Sequence, residues 1–217
     1  MTRLFFIRHG KTEWNLEGRY QGSGGDSPLL KESYTEIKAL SNYLRHYHFE
    51  AVYSSPLKRA LVTAQHLAEG LPQQLEVKVD PNLKEFNLGK MEGMKFTDVA
   101  LRYPQELDAF GHHADLYDPT DIEGETFQQL FDRMTPAIQK IVMNHPTGNV
   151  LVVSHGAALC AEIRHLLGYP LSELRARGGL ANTSTTILET HNGREFNCLA
   201  WNKTEYLGRS LDATDIV

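Results

Sequence analysis

Short apolar runs occupy residues 3–8 (RLFFIR), 51–54 (AVYS) and 150–154 (VLVVS), the pattern of strands buried on both faces. Residues 75–79 (LEVKV) alternate instead, which suits a half-exposed strand. Between these runs the spacing becomes helical. Ile37, Leu40, Tyr43, Leu44 and Tyr47 share one face of a helix predicted over 34–47. Ser55 and Pro56 supply an N-cap and a first-position proline for the next helix, which Gly70 ends. A helix over 125–143 carries Phe127, Leu130, Phe131, Met134, Ile138, Ile141 and Val142 on its apolar side, and Pro136 is predicted to kink it. Another, from Gly156 to Leu167, follows VLVVS directly and stops at Gly168.

Strand and helix thus alternate, which predicts an α/β three-layer sandwich: a mostly parallel sheet, helices on both faces, right-handed crossovers. Asn192-Gly193 between the runs 184–190 and 194–200 is a hairpin signal, so at least one antiparallel strand is expected. No repeat or linker-like stretch divides the 217 residues, and one domain over 1–217 is the expectation.

Composition narrows the function. A formal net charge of -5 argues against a nucleic-acid surface. No apolar run approaches the roughly 20 residues that span a bilayer, and the N-terminus does not read as a signal peptide; both point to the cytoplasm. Cys160 and Cys198 are far apart, each within an apolar pattern, and are expected to be buried free thiols. Oligomeric state is not readable.

The candidate chemistry falls where strands end, the place at which ligands collect in open α/β sheets. Arg8-His9-Gly10 follows the first strand, Ser154-His155-Gly156 follows VLVV, Arg59 lies early in the helix after YSSP, and Glu85 follows VDPNL. Each His-Gly pair sets an imidazole beside a residue that lets backbone approach a ligand closely. Two guanidinium groups in one crevice call for an anion, and their planar fork matches phosphoryl oxygens.

These residues, read in order through IRHGKTEWN, GRYQG, DSPL, VYSSPLKRALVTA, LKEFNLGKMEG, GET and VVSHGAAL, resemble the histidine phosphatase superfamily, also called phosphoglycerate mutase-like. The resemblance implies that His9 is a nucleophile that becomes phosphohistidine. It further implies that Arg8, Arg59 and His155 bind the phosphoryl oxygens and that Glu85 is the general acid. Asn15 and the Ala157 N–H match family positions that add neutral donors, with Gly156 beside them; Thr12 and Gln21 are further candidates near the substrate. No metal and no cofactor is implied, and the partner is a small phosphate ester.

Some positions depart from the family pattern or stand outside it. Lys11 replaces a common acidic or amide residue and is expected to raise the positive potential of the pocket; Ser33 replaces a glycine and leaves the start of its helix open. Trp14 reads as packing beneath the loop. His46, His48, His112 and His113 lack a third ligand at metal spacing, although His113 or Tyr117 could line the pocket. Residues 91–125, holding Phe96, Phe110, Tyr117 and the acids Asp108, Asp115 and Asp118, read as a pocket cover not built for a second phosphate. The expectation is therefore a phosphomonoesterase. Its alternatives are a bisphosphate-dependent phosphoglycerate mutase, a non-catalytic phosphate-binding module and a metal-dependent hydrolase.

Overall fold

The computed structural model describes residues 1–175 and 178–216. Among them six strands form one sheet in the order β3-β2-β4-β1-β5-β6. The central strands are β1 (Thr2–Arg8), β2 (Phe49–Ser54) and β4 (Gly148–Ser154), and β3 (Val77–Val79) is a short parallel edge. Strands β5 (Thr185–Thr190) and β6 (Phe196–Lys203) run antiparallel and form the predicted hairpin.

Alternation along β1 builds the layers. Leu4 and Phe6 enter one core with Val150, Val152 and Leu188. That core is closed by α6 (Phe127–Asn144) and α7 (Gly156–Leu166). Phe5 and Ile7 face the other side with Leu151 and Val153, under α2 (Lys31–Leu44) and α3 (Lys58–Glu69). A strand with apolar side chains on both faces can be buried only between two helical layers, and this is the three-layer sandwich that the sequence predicts.

Several boundaries differ from the sequence reading, each for a local reason. Helix α2 starts at Lys31 and ends at Leu44 instead of spanning 34–47. Ser33 does not interrupt its first turn, because Oγ donates to the Lys11 carbonyl at 2.7 Å. Helix α3 starts at Lys58, not at Pro56: Leu57 stays extended as an N-cap without a side-chain cap bond, while Ser55 Oγ accepts from the Leu57 N–H at 3.3 Å and meets His155 Nε2 at 2.7 Å. Helix α6 opens with a reciprocal Thr126–Gln129 capping box, and Pro136 lies inside without ending it. Cys160 is buried as expected, but Cys198, on the edge strand β6, is exposed.

The segment 91–125 folds as short helical pieces: α4 (Phe96–Arg102), α5 (Pro104–His112) and a 3-10 turn at Ala114–Leu116. An aromatic cluster anchors it, with Phe110 against Phe86, Tyr117 and Phe127. Among the described residues no helix is long and apolar enough to cross a membrane.

Candidate active site

Because β1, β2 and β4 are parallel and in register, with Arg8 opposite Ser154 and Ser54 opposite Val153, their carboxyl ends share one edge of the sheet. The next residue of each strand lands beside its neighbour: the His9 N–H donates to the Ser154 carbonyl, and the Ser55 N–H to that of Val153. His9 and His155 are therefore adjacent, ring centroids 5.2 Å apart.

The two imidazoles are held differently. His9 places Nδ1 2.8 Å from the Gly10 carbonyl oxygen, so Nδ1 carries the proton and Nε2 keeps a lone pair toward the cleft. The Gly10 N–H is fixed by Thr63 of α3, at 3.0 Å. His155 has Nε2 2.7 Å from Ser55 Oγ, while its Nδ1 is buried without a partner. Burial lowers both proton affinities well below the ordinary histidine range, and the Arg59 and Arg8 guanidinium groups lower them further. Both shifts favour the neutral ring.

Arg8 donates Nη1 to the carbonyls of Leu180 (2.5 Å) and Asp215 (2.7 Å). Arg59 spends its two Nη atoms on the carbonyls of Gln21, Gly22 and Gly25 and on Asp26, so it also shapes the loop that rims the cleft. The Nε of each is buried and, among the described residues, unpartnered. Burial brings Arg8 down to about 10, partly offset by Glu85 and Asp215, so it remains a cation at neutral pH. Arg59 is lowered mainly by burial, against which Asp26 and Glu85 act. Glu85 lies across the N-terminus of α7, accepting from Ala157 N (3.0 Å), Ala158 N (2.7 Å) and its neighbour Phe86 N (2.9 Å). An anion is favoured there by the unpaired amides and the helix dipole.

Arg8, His9, Asn15, Gln21, Glu85, Gly156 and Ala157 line one narrow cleft, ≈ 30 Å³ in volume, together with Arg19, Tyr20, Leu88 and Phe110. Arg59 and His155 are wholly buried, close enough that their charges act on the lining groups. Asn15 engages Oδ1 with Thr12 and Asn182, which leaves Nδ2 as its free donor. Gln21 accepts from Thr12 and Ser27, and its Nε2 is buried without an acceptor.

Other candidates take different places. Thr12 is wholly buried and caps the short helix α1 (Glu13–Leu16) in place of lining the cleft. The Ala157 N–H, expected to face a ligand, is taken by Glu85. Lys11 does not charge the pocket: its Nζ lies 3.1 Å from both Asp212 and Asp215. Burial opposes the ionised form of Asp215, but Arg209, the Asp212 N–H and Lys11 keep its carboxyl well below the usual range. Trp14 packs against Gly25 and Gly93. His113 is exposed and pairs weakly with Asp108, so it lines nothing; Tyr117 backs the Phe110 wall.

Sequence reasoning passes over four groups that the fold recruits: Ser55 on His155, the Asp215 carbonyl on Arg8, Arg133, and Arg175. Arg133 donates to the carbonyls of Lys84 and Glu85 and pairs with Glu125, which fixes the Glu85 loop on α6. Only Ser55 carried a signal, as the second serine of the quoted SSP. The others come from distant segments brought together by tertiary packing alone.

Comparison with known proteins identifies the family and agrees on the fold. A family model described as histidine phosphatase superfamily (branch 1) matches residues 4–204. Phosphoserine phosphatase 1 of Hydrogenobacter thermophilus is 31% identical over 211 residues, covering 96% of this chain and 95% of that protein. The solved structure of Bacillus stearothermophilus YhfR superposes with a TM-score of 0.87 at 31% identity, covering 95% of this chain and 100% of that one. The mycobacterial glucosyl-3-phosphoglycerate phosphatase Rv2419c, solved with VO3, gives 0.82 at 29% identity, covering 92% and 98%.

Proposed function

The chain belongs to the histidine phosphatase superfamily, and from that premise we propose that it hydrolyses small phosphomonoesters through a phosphohistidine on His9. The observation that carries this reading is a set of buried nitrogens without partners: Arg8 Nε, Arg59 Nε, Gln21 Nε2 and His155 Nδ1. Buried donors left unpaired are costly and rare. Four of them around one imidazole lone pair fit a ligand made of acceptors, such as a phosphoryl group.

In this reading the ester's phosphoryl group enters beside His9 Nε2, and its oxygens take up the free donors. Ser55 Oγ–H on Nε2 of His155 leaves Nδ1–H as a donor. Arriving at the N-terminus of α7, the dianion takes over the Ala157 amide and displaces Glu85. The displaced Glu85 carboxyl serves as general acid, giving a proton to the departing oxygen as the His9–P bond forms and the ester P–O bond breaks. The carboxylate then takes a proton from water, whose oxygen attacks phosphorus; the P–N bond breaks and phosphate leaves. Throughout, Arg8 and Arg59 stabilise charge on the equatorial oxygens from fixed positions. Turnover is expected to survive a chelator.

Hydrolysis is preferred to mutase activity because the 91–125 segment gives the cleft an aromatic wall, Phe110, and no cation. Incubation with 3-phosphoglycerate and catalytic 2,3-bisphosphoglycerate tests this. Phosphate release without 2-phosphoglycerate is the expected result, and fast isomerisation with little phosphate overturns the preference.

A further inference from the structure

The cleft has two chemical halves. Strand ends and the α7 N-terminus supply Arg8, His9, Asn15, Gln21, Glu85, Gly156 and Ala157; loops supply the outer half, Arg19, Tyr20, Leu88 and Phe110. Against Phe110 of this outer half stands a further cation that the phosphoryl chemistry does not use. Arg175 follows the 3-10 turn Leu171–Glu173 after α7, and its guanidinium carbon stands 5.1 Å from the centroid of the Phe110 ring. Its Nη1 is buried with no hydrogen-bond partner among the described residues.

The charge of Arg175 acts on Arg8 and on Tyr20, both of which line the cleft. Arg19 donates Nε to Glu17 and Nη1 to the Gly93 carbonyl, and uses neither on the cleft's other residues. A stacked guanidinium keeps its in-plane donors. An aromatic ring satisfies only its face, and the buried Nη1 still calls for an acceptor.

We propose that Arg175, held against Phe110, reads a carboxylate on the carbon skeleton of the ester, so that the substrates of this protein are phosphomonoesters bearing a second, carboxylic anion. This rests on the phosphatase reading of the site. A carboxylate suits a single guanidinium: it brings one charge against one, and two in-plane oxygens for the fork.

The test is a matched pair of esters. 3-Phosphoglycerate and glycerol 3-phosphate differ by a carboxylate against a hydroxymethyl group, and 4-nitrophenyl phosphate serves as a common reference. The wild type is expected to favour 3-phosphoglycerate in kcat/KM by 10- to 100-fold, roughly the worth of one charged hydrogen bond. The ratio of the two values falls to within about threefold of unity in Arg175→Gln, chiefly through KM, and lies between in Arg175→Lys, which keeps the charge and loses the fork. Because the readout is a ratio, a general loss of folded protein cancels. A wild type without preference, or an unchanged ratio in Arg175→Gln, overturns the proposal and leaves the phosphatase reading intact. Hydrolysis of none of the three esters removes both.

Discussion

Gly156→Ala separates positioning from folding. Gly156 opens α7 with a backbone outside the left-handed region, so alanine is conformationally acceptable there. In a helix alanine is the better residue by up to about 1 kcal/mol. The new methyl, however, would lie 2.9 Å from Arg8 Nε, 3.1 Å from Cζ and 3.3 Å from Cδ. Atoms of this size rest at about 3.5 Å, so the guanidinium has to retreat by roughly half an ångström. It cannot swing away freely, since Nη1 is held by the carbonyls of Leu180 and Asp215. Misplacement of about 1 Å costs on the order of 100-fold; half of that, at the group that would meet a phosphoryl oxygen, predicts a loss of ~10-fold or somewhat more, about 1.4 kcal/mol or above of transition-state binding. The assay is kcat and KM on 4-nitrophenyl phosphate beside urea unfolding of the same samples. Lowered kcat with a urea stability within about 1 kcal/mol of wild type is expected. A folded variant retaining more than half of wild-type kcat refutes the placement of Arg8 Nε against a phosphoryl oxygen.

Three further outcomes follow from the same geometry. Glu85→Ala should lose ~100-fold or more on alkyl phosphates and at least tenfold less on aryl phosphates, whose leaving groups need little protonation; parallel losses would remove the general-acid role. Burial raises Glu162 to about 8, opposed by the Thr135 hydrogen bond and Arg133. A carboxyl whose folded pKa is raised gives stability that is complete below its unfolded value and lost as pH rises to the folded one. Glu162→Gln, which mimics the protonated form, should therefore unfold at higher urea than wild type, with a gap that widens from pH 5 to about 8 and then levels; a gap independent of pH contradicts this. Asp215→Ala leaves Lys11 with Asp212 alone and Arg209 with Glu36 alone, and should cost up to ~3 kcal/mol, the low end for a buried pair because each cation keeps one carboxylate. It should also lower kcat on 4-nitrophenyl phosphate, through the carbonyl that holds Arg8; normal kcat in the folded variant would detach that segment from the site.

What the sequence reveals and what it hides have a common physical cause. Arg8, His9 and His155 are readable because they sit one residue past apolar runs, and parallel strands necessarily bring such residues to one edge. Glu85 is readable only through resemblance, since its place depends on Arg133 drawing the loop onto α6. Arg175 and Asp215 lie in segments with no periodic pattern, and only packing brings them to Phe110 and Arg8. The misreadings have the same origin. Lys11 is adjacent to the site in sequence, but a buried ammonium goes where carboxylates are, and the C-terminal segment supplies two. Ser55 reads as a helix cap and does accept from the Leu57 N–H, but its second bond, to a buried imidazole 100 residues away, has no local signal. Cys198 has apolar neighbours in sequence, yet burial also depends on what lies beyond the strand, and β6 ends the sheet.

The central claim is that His9 Nε2 forms a bond to phosphorus. Mixing the protein with excess 4-nitrophenyl phosphate, quenching within the first turnovers under alkaline denaturing conditions and mapping the modification by mass spectrometry tests it directly. The account predicts one phosphoryl group, acid-labile and base-stable, on the peptide carrying His9 and absent from His9→Ala. Continued turnover with no phosphoryl group on His9, or with His9→Ala as active as wild type, would contradict it.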